Sequence, residues 1–288
     1  MTTGSDGLRR PARGDRLAVL VGELAGGPVR PVNLEPVDSS QLTAAAWPGI
    51  LAATGDAAAG STAVVVTHGT DTLAWTAAML AAAGPWPVPV VLTAANVPEG
   101  DPGSDAVTNL TGALAAARAL PAGVVVAFAG VPDGEVELFA GGFVTKRRGD
   151  GRAFVARGAR LGHVDGDEVR VETDAPVLTD RATRGRFDQR VRTLVCTPFT
   201  DAETVSAAGA GVDAVALELY ACGTASDAVA VGCRRLTDAG VTVWACPPSP
   251  IDAAHYPSTG ALTGAGVTVR LDLSIELAAV LLADRVRS

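Results

Sequence analysis

The stretch that decides the fold runs from Val64 to Thr72 and reads Val-Val-Val-Thr-His-Gly-Thr-Asp-Thr. Its β-branched start predicts a buried strand, and the helical pattern over 72–83 predicts a helix directly behind it. A strand that ends at a helix start places unpaired backbone N–H groups beside hydroxyls and a carboxylate, and α/β folds bind anionic substrates at such junctions. The same polar residue types are also common helix N-caps. The motif by itself therefore leaves a binding site and a helix cap both open.

Length and composition limit the classes of protein to which this chain can belong. A chain of 288 residues suits one large α/β domain and a smaller one. Hydrophobic residues make up 48% of the sequence, yet no apolar run reaches the roughly 18 residues that a membrane span needs. Residues 1–16 lack a signal-peptide pattern, so we expect a cytoplasmic protein. The net charge of −8 and the single basic cluster at 146–148 argue against a nucleic-acid partner, and the missing apolar run argues against a membrane.

The cysteine and glycine patterns give no indication of a cofactor. No Cys-x-x-Cys spacing occurs, and we expect the four cysteines to act as small buried hydrophobes in a reducing compartment rather than as a zinc site or disulfide frame; they are Cys196, Cys222, Cys233 and Cys246. Neither glycine-rich phosphate fingerprint occurs at a strand–helix turn, and no motif requires a metal or a flavin. The sequence therefore predicts no cofactor and no metal.

Alternating strand and helix patterns predict two α/β domains. We expect a disordered leader over 1–15, a larger N-terminal domain over 16–172, a polar linker over 173–190 and a smaller C-terminal domain over 191–288. In the first domain, strands are predicted at 17–21, 64–67, 87–92 and 124–129, with helices at 72–83 and 104–120. In the second, strands at 191–196, 214–219 and 241–245 alternate with helices at 201–209, 226–239 and 274–284, which indicates a small parallel layer.

The string at 68–72 resembles the second signature of the bacterial-type L-asparaginases and of the related asparaginase-like subunit of archaeal tRNA amidotransferase. Asp38-Ser39-Ser40 is similar to the turn with which that family binds the substrate carboxylate, and Thr145-Lys146 is similar to the segment that carries its catalytic lysine. The resemblance covers nearly the whole chain. It implies the two-domain asparaginase fold, with a larger doubly wound N-terminal domain and a smaller parallel C-terminal α/β domain.

The same resemblance implies site residues and an assembly. It assigns catalytic roles to Thr70, Asp71 and Lys146. If Asp71 is buried, it could hold Lys146 near neutral as a base or proton relay. The positions implied for substrate binding are Ser39, Ser40, Gly69 and Thr224. Residues 216–224 resemble the segment that completes a neighbouring subunit's site in the family, with Thr224 replacing an asparagine, so we expect a homodimer or homotetramer with sites at the subunit interface.

Three features depart from the family pattern. Matching Ala25-Gly26-Gly27 to the end of the family's first catalytic turn places Glu23 where the nucleophilic threonine should stand. Only residues 28–38 bridge to the next motif, where the family carries a mobile hairpin that closes over the substrate; a missing lid indicates a larger substrate or lost catalysis. Val97 replaces an arginine, which implies a rebuilt framework near the site.

Three functional hypotheses follow from these residues. The first is ordinary asparagine or glutamine hydrolysis, with Thr70 as a substitute nucleophile. The second, which we prefer at this stage, is a rebuilt enzyme in which Glu23 acts as general acid or base with Thr70, Asp71 and Lys146. Its substrate would be larger than asparagine, for example a biosynthetic intermediate bearing an amide, amine or carboxylate, and the reaction would be hydrolysis, elimination or cyclisation. The third is a non-catalytic binding or scaffold protein in which Glu23 fills the pocket and pairs with Lys146.

Overall fold

The structure, a computed structural model, describes residues 2–3, 9–10, 14–147, 153–173, 183–249 and 256–284. It divides into two compact units, Met1–Arg181 and Ala182–Ser288. The division falls within the polar segment predicted as a linker. Within the described ranges, no helix is long and apolar enough to cross a membrane.

The first unit contains a mixed sheet and four helices among its described residues. Its elements in chain order are β1 (Thr2–Thr3), β2 (Arg9–Arg10), α1 (Gly14–Ala25), α2 (Trp47–Ala58), β3 (Val64–Thr67), α3 (Leu73–Ala83), β4 (Pro89–Thr93), α4 (Ala106–Ala119), β5 (Gly123–Phe128), β6 (Val136–Ala140), β7 (Val144–Lys146), β8 (Phe154–Ala156), β9 (Gly162–Asp165) and β10 (Glu168–Val171). Short 3₁₀ turns lie at Ser39–Gln41, Ala44–Ala46 and Gly141–Phe143.

The main sheet of this unit has the strand order β10-β9-β6-β5-β4-β3. Strands β3, β4 and β5 run parallel, whereas β6, β9 and β10 add to them in antiparallel fashion. Every residue of β4 is buried, as expected for a central strand of an α/β sheet. The carboxyl ends of β3 and β4 lie side by side, since Thr67 pairs with Thr93. The polar turn after β3 therefore sits at an edge where α/β sheets commonly bind ligands.

The predicted strand over 17–21 is wrong, because this segment belongs to helix α1. Residues Leu17, Leu20 and Leu24 recur at helical spacing and are half-buried, whereas Val19 and Glu23 are exposed. The contiguous apolar run looks like a strand, but its continuation to Leu24 follows the 3.6-residue period of an amphipathic helix. Helix α1 packs against α4, and the Arg118 side chain donates to the Ala25 carbonyl at the end of α1.

The other predicted elements are confirmed within a few residues, and the second unit is the expected parallel layer. Its elements are β11 (Val191–Val195), α5 (Ala202–Ala208), β12 (Ala214–Glu218), α6 (Asp227–Asp238), β13 (Thr242–Cys246), α7 (Pro257–Gly264), β14 (Thr268–Val269) and α8 (Ile275–Ala283). The sheet order β11-β12-β13-β14 is parallel throughout. Its core includes Val215, Leu217 and Leu262.

The cysteines lie mostly where the sequence predicts. Cys196, Cys233 and Cys246 are buried, but Cys222 is exposed, so the expectation of burial is wrong for that residue. Cys222 follows β12 in a turn that closes with a hydrogen bond from the Gly223 N–H to the Tyr220 carbonyl. Desolvation raises the pKa of the Cys196 thiol to about 12, which keeps this thiol protonated and unreactive at neutral pH.

Candidate active site

The candidate site is the turn that links β3 to α3 at the carboxyl end of the sheet. The backbone N–H of His68 still donates to the Thr93 carbonyl at 2.9 Å, so the turn starts from a strand end fixed by its neighbour. Helix α3 follows from Leu73, with Thr72 at the N-cap position. The Thr72 side chain makes no cap bond to the helix, because its hydroxyl donates instead to the Ser39 carbonyl at 2.9 Å. Thr72 therefore connects the turn to a distant chain segment instead of capping the helix with its side chain.

Lys146, at the end of β7, meets this turn. Its Nζ lies 3.0 Å from Thr70 Oγ1 and 2.5 Å from Asp71 Oδ1. The structure thus brings together a hydroxyl, an amine and a carboxylate from positions 75 and 76 residues apart in sequence. The condition that Asp71 is buried is not met, since the Lys146 and Asp71 side chains are 32% and 56% exposed.

The exposure of this ion pair limits how much it can contribute to the stability of the fold. Ion pairs between solvent-exposed side chains contribute about 0 to 1 kcal/mol to stability. The Lys146–Asp71 pair is therefore a weak contributor to the fold, yet it is placed so that Nζ also contacts the Thr70 hydroxyl. The arrangement thus places a hydroxyl and a carboxylate within hydrogen-bond distance of the same amine.

Ser39, which lies in an earlier chain segment, fixes the turn through contacts with Asp71 and Gly69. This serine is only 6% exposed, and its Oγ accepts a hydrogen bond from the Asp71 N–H at 3.3 Å. It packs so closely on Gly69 that a Cβ at position 69 would lie 2.4 Å from Ser39 Oγ. Gly69 is thus required by space, and Ser39 and Gly69 both take part in the site's framework.

Ser40, the second serine of this pair, lies on the exposed side of the same 3₁₀ turn. Its N–H donates to Asp38 Oδ1 at 2.9 Å, which caps the turn. The hydrogen bonds from Ser40 hold the pKa of Asp38 below its ordinary value. A substrate-binding role for Ser40 stays a prediction, since its backbone contact is structural.

Glu23 is not placed in a strand-end turn. It lies on the exposed face of α1, and the contacts that the described residues make with Lys146 come from Thr70 and Asp71. The alignment that gave Glu23 the nucleophile position assumed that a strand ends at Val21, and that strand is absent. The role assigned to Glu23 therefore loses its structural basis.

Thr224 belongs to the second unit. Its carbonyl accepts a hydrogen bond from the Tyr220 N–H at 3.0 Å, and the preceding Gly223 has a φ of +71°, a conformation that favours glycine. Thr259 donates from its hydroxyl to the Gly223 carbonyl at 3.0 Å. Thr224 thus sits in a well-fixed turn after β12, and its part in substrate binding stays a prediction.

The loop after β4, where Val97 replaces the arginine expected from the resemblance, is held by a buried carboxylate. Asp105 is 1% exposed and accepts from the backbone N–H groups of Asn96 and Val97 at 3.1 and 3.0 Å. Asn109 donates to Asp105 and to the Ala94 carbonyl, both at 2.9 Å. This network of one carboxylate and one amide fixes the loop, and a framework rebuilt relative to the family stays a prediction.

Sequence reasoning missed one contributor to the turn. His68 is partly buried; its Nδ1 lies 2.8 Å from the Gly69 carbonyl and its Nε2 3.0 Å from Thr76 Oγ1. The signal was present, since a histidine opens the quoted motif and Thr76 lies one turn inside the following helix. Among the described residues, no group of three histidine, cysteine or acidic side chains is arranged to hold a metal ion.

Comparison with known proteins gives the family. Residues 2–177 match the family model described as Asparaginase, N-terminal. Solved structures with the same fold include the thermostable L-asparaginase from Thermococcus kodakarensis, with 24% identity, a TM-score of 0.79 and coverage of 97% of this chain and 87% of that one. L-asparaginase I from Vibrio cholerae has 22% identity, a TM-score of 0.77 and coverage of 96% and 87%. The family match spans more than half of the chain and contains the whole Ser39–Thr70–Asp71–Lys146 constellation, and the chain therefore belongs to the asparaginase family.

Proposed function

We propose that this protein is an amide hydrolase in which Thr70 attacks a substrate carboxamide with help from Lys146 and Asp71. The observation that carries the proposal is the pair of contacts from Lys146 Nζ, 3.0 Å to Thr70 Oγ1 and 2.5 Å to Asp71 Oδ1. Membership in the asparaginase family supports hydrolysis. It lends no support to the elimination and cyclisation that the sequence left open.

The proposed reaction gives each of these groups a defined part. In its neutral form, Lys146 Nζ accepts the Thr70 hydroxyl proton while Thr70 Oγ1 bonds to the amide carbon. The resulting ammonium is stabilised by the Asp71 carboxylate and returns the proton to the leaving nitrogen as the C–N bond breaks. Water then hydrolyses the Thr70 ester. Glu23 has no part in this scheme, because it lies on the exposed face of α1.

The openness of the site favours a substrate larger than free asparagine. Lys146 and Asp71 are 32% and 56% exposed within this chain, and residues 28–38 form neither a helix nor a strand that could close over them. An open site accommodates groups beyond the reacting amide, whereas small substrates usually require closure to exclude water. We therefore propose an amide on a larger molecule, such as an acylated or peptide-linked asparagine or glutamine.

We also propose that the protein assembles as a homodimer or homotetramer. Two aromatic side chains support this proposal, since Phe199 and Tyr220 follow the adjacent strands β11 and β12 and are 90% and 39% exposed. Exposed aromatic residues are enriched at protein interfaces. Light scattering after size exclusion should give at least a dimer at micromolar concentration, and a monomer for the purified chain would contradict the proposal.

Ammonia release from free and peptide-linked asparagine and glutamine tests the proposed function. Thr70→Ala and Lys146→Met should each lower kcat by about 10²-fold or more, while Glu23→Gln should match the unmodified protein. Hydrolysis that survives Thr70→Ala would refute the assigned nucleophile. The absence of turnover on every amide, together with tight binding of one of them, would instead support the non-catalytic hypothesis.

A further inference from the structure

We infer that His68 is a positioning residue that holds the Gly69–Thr70 peptide group, and with it the Thr70 hydroxyl, in place for Lys146. This inference rests on the proposed function, because it concerns the geometry of the same nucleophile. It starts from two contacts of one imidazole ring that point in opposite directions, to the turn and to the helix behind it.

The contacts of His68 fix which ring nitrogen carries the proton. The Gly69 carbonyl can only accept, so Nδ1 at 2.8 Å must be the protonated nitrogen. Nε2 of the neutral ring is then an acceptor, and the Thr76 hydroxyl at 3.0 Å donates to it. Burial lowers the pKa of His68, which favours this neutral form. One tautomer satisfies both contacts.

The partner of His68 on the helix is a rigid one. Thr76 is fully buried, and its backbone N–H donates to the Thr72 carbonyl in the first turn of α3. The ring therefore spans from a fixed helix to the carbonyl of Gly69. Because a peptide group is planar and trans, fixing that carbonyl also fixes the direction of the Thr70 N–H and the starting point of the Thr70 side chain.

Ser39 holds the same turn through separate contacts. Its Oγ accepts from the Asp71 N–H at 3.3 Å, and its close packing on Gly69 leaves that residue no room to shift toward it. Ser39 and His68 therefore contact the same turn through different atoms, and both support the 3.0 Å contact between Thr70 and Lys146. Removing the imidazole should release the Gly69–Thr70 peptide while leaving the ion pair intact.

Two substitutions separate positioning from bulk stability. At position 68, an asparagine amide can place an N–H near the position of Nδ1. A glutamine amide would reach toward the position of Nε2 instead, and a leucine offers no donor. We expect His68→Asn to keep kcat within about fivefold and His68→Leu to lower it by about 10²-fold with KM little changed, because a displacement of about 1 Å at a reacting group costs about this factor. Thr76→Val should lower kcat less than His68→Leu does. The imidazole keeps its contact with the Gly69 carbonyl in that variant and loses only the hydroxyl that selects the Nδ1–H tautomer.

Two further measurements do not depend on turnover. The ¹⁵N chemical shifts of His68 should report the Nδ1–H tautomer in the unmodified protein, and a crystal structure of His68→Leu should show the Thr70–Lys146 contact lengthened beyond hydrogen-bond range. An Nε2–H tautomer, or an unchanged contact in His68→Leu, would overturn the inference. If the unmodified protein hydrolyses no amide but these two results hold, the proposed function fails and the positioning role stands.

Discussion

Substituting Gly69 by alanine tests whether Ser39 packs closely on the turn of the candidate site. The added Cβ would lie 2.4 Å from Ser39 Oγ and 2.7 Å from Ser39 Cβ, whereas carbon contacts are optimal at about 3.5–4.0 Å. Relieving this overlap costs about 1–3 kcal/mol. Moving Ser39 away also breaks its bonds with the Asp71 N–H and the Thr72 hydroxyl, each worth about 1 kcal/mol. We expect Gly69→Ala to lower the free energy of unfolding by about 3–5 kcal/mol.

The experiment needs a control in which the same chemical change meets no neighbour. Gly55 provides it, because it lies inside α2 and a Cβ there has nothing within 4 Å. Gly55→Ala should raise the free energy of unfolding by about 0.5–1 kcal/mol, since alanine restricts the unfolded chain. Urea unfolding measures both variants, and ammonia release should fall about 10²-fold in Gly69→Ala alone.

A double variant identifies the clash as the cause. Ser39→Gly removes the two side-chain atoms that overlap the new Cβ, so Ser39→Gly/Gly69→Ala should be less destabilised than the sum of the two single changes. If Gly69→Ala unfolds like the unmodified protein while Gly55→Ala behaves as expected, then Ser39 does not pack on the turn. The framework derived for the site would then be wrong.

Three further changes test other parts of the description. Glu23→Gln should leave ammonia release and thermal stability within error, because the side chain lies on the exposed face of α1; a tenfold loss of activity would restore the acid–base hypothesis. Ser274→Ala should lower the free energy of unfolding by about 1 kcal/mol, since the hydroxyl caps α8 by accepting from the Leu277 N–H, and an unchanged urea midpoint would contradict this. Hydrogen bonds from Arg160 lower the pKa of Glu172, so this carboxylate stabilises the fold above the ordinary glutamate pKa and loses that effect as the pH falls through its lowered pKa. The urea midpoint should therefore fall less between about pH 6 and about pH 3 in Arg160→Gln than in the unmodified protein, and an equal fall would refute the linkage.

Elements with a strong period or a clear turn chemistry could be predicted from the sequence. Strand β4 and helix α3 follow from a short apolar run and a long alanine-rich one, and both are largely buried. The meeting of Thr70, Asp71 and Lys146 could not come from such patterns, because β7 is only three residues long and nothing local indicates where it packs. That contact was foreseen only through the family resemblance of the Thr145-Lys146 segment.

The polar supports of the site were harder to foresee for a physical reason. Thr76 lies in a helix whose other residues are almost all apolar, and its hydroxyl is fully buried. From the sequence, such a threonine looks like a neutral core position. A buried hydroxyl needs a partner, and identifying that partner as His68, eight residues away, requires the three-dimensional turn. The burial of Ser39 against Gly69 is likewise a property of packing between distant segments.

The predicted strand over 17–21, on which the role of Glu23 depended, is wrong because a short local match was given more weight than periodicity. The match to the family's first catalytic turn depended on three residues, Ala25-Gly26-Gly27. The leucines of the same segment, Leu17, Leu20 and Leu24, have the spacing of an amphipathic helix. The family match begins at residue 2, ahead of the start of α1 at Gly14, so the family's N-terminal domain also includes most of the segment predicted as a leader. Glu23 is better explained as a solvent-facing residue of α1.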